Sequence, residues 1–222
     1  MNDRHIKCWH FLQDDKRLRW GTKEIVEVGK TYTCKGDLAM CENGLHGSRK
    51  ILDALIYAPG PICCRVEIWG DVIEDYDKLV GRNRIVLSMI DAIDILRKFA
   101  RMCALDVIHL WDAPDVVVRY LKTGDESLRE AAREAAGAAA REAAGEAARA
   151  AAGAAAGEAG AAGEAAREAA GAAAWEAARE AAGAAAWEAA WEAAWEAAKN
   201  KQNRRLALMI KEAIKREEGI VP

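Results

Sequence analysis

Apolar residues follow two regimes along the chain. Up to about residue 124 they recur in short runs at strand or helix spacing. From 129 to 199 they shrink to Ala and an occasional Trp, with no Leu, Ile, Val or Phe. The first regime opens with IKCWHFL at 6–12, which suits a strand, and breaks at Gln13-Asp14-Asp15. In EIVEVGKTYTC the apolar positions flank Gly29-Lys30, the pattern of strand, turn and strand. Asn43-Gly44 marks a turn, and Ser48 is placed to cap a short helix in RKILDALIYA. That helix would carry Ile51, Leu52, Leu55 and Ile56 on one face, and Pro59-Gly60-Pro61 would end it.

ICCRVEIWG is the strongest strand, with Ile62, Cys64, Val66 and Ile68 sharing a face by alternation. The acidic stretch from Asp71 to Asp77 reads as an edge or loop, and RIVLS as another short strand. Ser88-Met89-Ile90-Asp91 fits a capping box opening a helix to about Cys103. Asp112 is placed to cap a helix in VVVRYLK, and Thr123 or Asp125 to cap the next helix. Strands first and helices later predict an α+β head rather than a parallel sheet.

The second regime is a tetrapeptide repeat, Glu/Ala-Ala-Ala-X, with Arg, Gly or Trp at X. Ala, Glu and Arg are strong helix formers, while each Gly costs about 1 kcal/mol relative to Ala. The expectation is one long alanine-rich helix over 125–199, about 110 Å in length. A period of four exceeds 3.6, so the X stripe winds right-handedly around such a rod. Glu158-Ala159-Gly160 and Ala161-Ala162-Gly163 break the register with two units of three. Trp175, Trp187, Trp191 and Trp195 all stand at X, and the last three would share a face of about 80°. They predict an interface, because an Ala rod offers little else to bury. Beyond it, Leu206, Ile210 and Ile214 form the apolar stripe of a short basic amphipathic helix, a second interface candidate.

Composition narrows the function. Only the first half can build a core, and about 120 residues suffice for one. The predicted organisation is a head at 1–110, a connecting helix at 111–124, the repeat helix at 125–199 and the C-terminal helix at 200–222. Net charge is −3, which argues against nucleic acid as the general partner. No stretch of 18 residues lacks charge, so no membrane span is predicted. MNDRHIKCWHF lacks the apolar segment of an export signal, which implies a cytoplasmic protein with its six cysteines reduced. Cys34, Cys41 and His46 offer metal-ligating atoms, but a close cysteine pair is missing and buried structural thiols explain them better. The sequence assigns no metal, cofactor or catalytic residue.

Two resemblances add expectations. Gly44-Leu45-His46-Gly47-Ser48, followed by Ala54 and Tyr57, resembles the segment lining the nicotinamide-nucleotide pocket of ADP-ribosyltransferase-type folds. That resemblance implies a ribose contact from His10, and leaves Glu67 as the nearest strand candidate for a catalytic glutamate. The chain also resembles an uncharacterised domain of phage and prophage proteins. The matching segments are residues 29–48, DALIYAPG at 53–60, RVEIWG at 65–70 and 111–129, with an Ala-rich tail leading to KQNRRL at 201–206. It implies a viral or prophage origin, and that family has no established activity to carry over.

The preferred expectation is a non-enzymatic binding or adaptor protein that self-associates into a homo-oligomer through its rod. The alternative is a nucleotide-binding head using His10, His46, Ser48 and Tyr57. A cavity gathering His10, His46 and Tyr57 would favour the alternative, and histidines scattered over a shallow surface the former.

Overall fold

The computed structural model describes residues 4–18, 24–110, 112–139 and 196–219. The chain divides into two compact units, residues 1–99 with 199–222 and residues 100–198.

The first unit is built on an antiparallel five-stranded sheet. Its strands are β1 (Ile6–Leu12), β2 (Thr31–Thr33), β3 (Leu45–Gly47), β4 (Ile62–Glu74) and β5 (Leu79–Asp91). The order is β1-β4-β5-β2, and β3 pairs with β5 beyond the reach of β2. The long β4–β5 hairpin is the spine. Asp75 N–H to Lys78 O, at 2.9 Å, closes its turn. The acidic stretch after Gly70 is therefore strand up to Glu74, with Gly70 at φ +85 beside a register shift between Trp69 and Val72. Ile62, Cys64, Val66 and Ile68 do share one face, and they form the core with Ile6, Cys8, Leu12, Tyr32, Leu79 and Val86.

Helix α1 (Ile51–Ile56) lies against β1. Its expected cap is corrected. Lys50 holds the N-cap position, and Ser48 exchanges backbone hydrogen bonds with Trp9 at 2.8 and 2.9 Å. Sheet pairing claimed Ser48 because β1 offers an unpaired edge there. The expected helix face is also partly wrong: Ile51 and Ala54 are buried, whereas Ile56 is 66% exposed. The predicted capping box at Ser88 is strand instead, since Ser88 to Asp91 complete four pairs with β4. Asp91 still serves as a cap. Its Oδ1 accepts from Ile93 N–H at 3.0 Å, at the start of α2 (Ile93–Asp106).

In the second unit, α3 (Asp115–Thr123) follows Pro114, which takes the N-cap position expected of Asp112. Gly124 ends α3 at φ +69, and its N–H reaches Tyr120 O. Asp125 then caps a 3₁₀ turn at Glu126–Leu128, accepting from Ser127 N–H at 2.9 Å. A helix, α4, covers 129–139.

The expected single alanine-rich helix over 125–199 is not what is found. Among the described residues it is represented by α4 and by the first residues of α5 (196–217), and residues 140–195 lie outside them. The boundary expected at 200 falls inside a helix. Helix α5 runs unbroken through Lys199 and Asn200, and Leu206 and Ile210 on it are fully buried. Lys199 Nζ sits 3.4 Å from Asp53 Oδ1, and Asn203 Oδ1 accepts from Leu52 N–H at 3.2 Å. From Lys199 onward α5 thus belongs to the first unit, held on α1. Helix propensity alone does not see this, because it sums local preferences and omits the burial that delimits an element. Among the described residues no helix is long and apolar enough to cross a membrane.

Candidate functional site

A cavity of about 320 Å³ opens in the first unit between the second half of β1, β3 and the C-terminal end of α1. Its wall forms where the chain at the end of β3 comes up against β1, with Ser48 bridging to Trp9. Gly47 allows that approach: a Cβ there would stand 2.9 Å from Cys8 Cβ and 3.0 Å from Ile68 Cδ1, inside van der Waals contact. Gly44, at φ +130, turns the chain into β3.

His10, His46, Ser48 and Tyr57 all line this cavity. The structure brings together the four residues singled out from the sequence. His10 is half-buried on β1 opposite Cys64, so it shares the apolar core face. Burial first, then the charge of Arg84 and the neighbouring His46, hold its pKa well below the ordinary 6.5. His46 is also lowered, chiefly by burial. Its Nε2 accepts from Cys41 N–H at 3.0 Å, so the ring proton resides on Nδ1, consistent with its hydrogen bond to the Gly44 backbone. Both shifts favour the neutral ring at neutral pH. Ser48 is nearly fully buried beside the two rings.

Tyr57 stands at the rim, 43% exposed. Its hydroxyl donates to Asp77 Oδ2 at 2.6 Å and accepts from Lys78 Nζ at 3.4 Å, and the Lys78 ammonium lies 4.6 Å from the ring centroid. The bond to Asp77 raises the phenol's pKa and keeps it protonated.

Arg84 was not singled out by the sequence pattern. It lines the cavity yet is only 2% exposed. Its Nη1 donates to His46 O at 2.9 Å, and its Nε–H meets no acceptor. Burial lowers its pKa to about 10, which leaves it charged at neutral pH. In Arg84-Ile85-Val86-Leu87 both alternate sets contain apolar residues, so periodicity does not tell which set faces inward. Pairing decides: Arg84 lies opposite Ile68, and Leu87 is 38% exposed on the other side.

The lining is electrically one-sided. Arg17, Lys78 and Arg84 contribute cations, and among the described residues no Asp or Glu lines the cavity. Glu67 in particular is elsewhere. It pairs with Lys7 across the sheet and accepts from His5 Nδ1 at 3.1 Å, on the face opposite His10. The glutamate that a transferase requires is therefore not in the lining. The metal candidates do not converge either. Cys34 Sγ donates to Asn43 Oδ1, His46 is engaged as above, and no three ligating side chains cluster among the described residues.

The interface candidates fall differently. Leu206 and Ile210 are buried within their own unit and Ile214 is half-buried. Trp175, Trp187, Trp191 and Trp195 lie outside the described residues, as does the register break at 158–163.

Residues 6–98 match the model of a family described as a domain of unknown function, DUF7666. The match spans the sheet, α1 and every residue lining the cavity. No curated protein and no solved structure matches the chain.

Proposed function

We propose that the first unit is a binding head for a nucleotide-type ligand, held in the cavity between β1, β3 and α1. The observation that carries this is the lining. His10, His46, Ser48 and Tyr57 meet in one volume with three cations and, among the described residues, no carboxylate. The neutral imidazole of His10, the Ser48 hydroxyl and the Tyr57 phenol suit the sugar and base edges of such a ligand, while His46, both ring nitrogens bonded to backbone, shapes the wall. The cations suit its phosphates. A volume of about 320 Å³ falls at the lower end of small-molecule sites.

The role is binding rather than group transfer. Transfer of ADP-ribose needs a group that stabilises the developing ribosyl cation, and a cation-lined cavity opposes that charge. Self-association through Trp175, Trp187, Trp191 and Trp195 rests on residues outside the described set. Leu206 and Ile210, buried in the head, do not support it.

Calorimetry and thermal melts with NAD, ADP-ribose and cyclic dinucleotides test the proposal. A ligand at 100 times its Kd should stabilise the head by about 2.7 kcal/mol. Replacing Tyr57 and His10 together by Phe and Ala should weaken that effect. Absence of heat and of any melting shift with all three ligand classes would retire the nucleotide reading.

A further inference from the structure

We infer that Arg84 is the seat of a phosphate group, which fixes the orientation of the ligand phosphate-inward. This rests on the nucleotide-binding reading and deepens it.

Arg84 has more donors than its surroundings use. A guanidinium carries five N–H donors. The bond from Nη1 to His46 O uses one, and the buried Nε–H has no acceptor. Among the described residues no carboxylate forms an ion pair with Arg84. The groups around it are Cys64, Tyr32, His10 and His46. An almost fully buried cation without a counter-charge is unfavourable in an empty fold and is stabilised when an anion arrives. One carbonyl bond does not call for a guanidinium at this place.

The choice of anion follows from geometry and charge. The planar fork of Arg matches the oxygens of a phosphate with two parallel hydrogen bonds. Arg17 and Lys78, nearer the mouth of the same volume, add a positive field that draws an anion in toward Arg84. Tyr57 is exposed at the rim with half-buried Lys78 beside it, whereas Arg84 is buried. A nucleotide entering the cavity therefore places its phosphate inward and its sugar and base toward Tyr57.

The full-length protein tests this with AMP, adenosine and inorganic phosphate, against wild type, Arg84→Met and Arg84→Lys. In the wild type AMP should bind at least roughly tenfold more tightly than adenosine, the gain of a charge-assisted phosphate contact. Inorganic phosphate alone should move the Arg84 Nε–H resonance in a nitrogen-edited NMR spectrum, with chloride at matched ionic strength as control. In Arg84→Met the preference for AMP over adenosine should vanish. Arg84→Lys should retain part of it. The resonance experiment uses wild type only, so it decides even if Arg84→Met fails to fold. An unmoved Nε–H resonance, or an AMP preference unchanged in Arg84→Met, overturns the assignment. Equal binding of AMP and adenosine by the wild type overturns the phosphate seat and leaves the nucleotide reading standing. Binding of neither, nor of the larger nucleotides, removes both.

Discussion

The pKa values of His10 and His46 are lowered for the same two reasons: desolvation of their rings, and the charge of Arg84. This couples the site to pH with a definite sign. In the unfolded chain both histidines titrate near 6.5, while in the fold their pKa values lie lower. Below pH 6.5 the unfolded chain therefore binds more protons, so stability falls as pH falls. Their contribution is complete above about pH 6.5 and is lost progressively between there and the folded values. Denaturant unfolding at about pH 7.5, 6.0 and 5.0 should show declining stability, and His10→Gln should flatten the decline. An identical pH profile in the variant would show that His10 is not held neutral by its surroundings. Among single residues, His10, His46 and Tyr57 were legible only through the resemblance of GLHGS and the following helix to ADP-ribosyltransferase-type folds. Arg84 was not, because an arginine inside a strand is ordinarily a solvated residue, and only the pairing with Ile68 turns it inward.

At the scale of elements, local pattern and tertiary pairing compete, and the outcome depends on which has more surface to bury. β1 and the first half of β4 follow their alternation because they pair with each other along their length, and cross-strand pairs reinforce the pattern. Ser48 and Ser88 lie in sheet pairing instead of capping a helix, whereas Asp91 at the end of β5 keeps a capping bond to Ile93 N–H. Helix α5 shows the same rule. Its stripe was visible in the sequence, but its destination was not, since an amphipathic face does not name its partner. Two leucines on that helix make a controlled comparison. Leu206 is fully buried and Leu208 is 58% exposed. Leu206→Ala should destabilise the head by about 2–5 kcal/mol, as for other core leucines. Leu208→Ala should stay within about 0.5 kcal/mol. Urea unfolding of both variants measures this, and equal losses would mean that α5 is not docked through Leu206.

At the scale of the molecule, the head is assembled from two distant stretches, 1–99 and 199–222. The intervening stretch, 100–198, is a compact unit by itself. The head should then need the ends of the chain and not the middle. Replacing 100–198 by a Gly/Ser linker of about 25 residues, with a root-mean-square span of about 25–30 Å, should leave the melting temperature of the head and its ligand response intact. Loop entropy changes only by about 0.6 kcal/mol per doubling of length. Deleting 199–222 instead should lower the melting temperature. A linker variant that fails to fold, while the deletion folds normally, would reverse the assignment of the head.

The amino-acid order by itself determined the class of the head and the identity of most of its chemically distinctive residues. Strand alternation, turn glycines and a late run of helices specify an α+β unit, because these are short-range effects of backbone geometry and side-chain size. The same short-range effects made the repeat look like one rod, a conclusion the described helices at 129–139 and 196–217 do not uphold. Tertiary structure alone decided that the chain leaving β3 meets β1 through Ser48 and Trp9, that Arg84 is buried with no ion-pairing carboxylate among the described residues, and that α5 returns to α1. Each of these depends on contacts between residues far apart in the chain, Gly47 with Ile68, Arg84 with His46, Lys199 with Asp53. Such contacts are set by which surfaces can be removed from water together, and a local pattern carries no information about the partner.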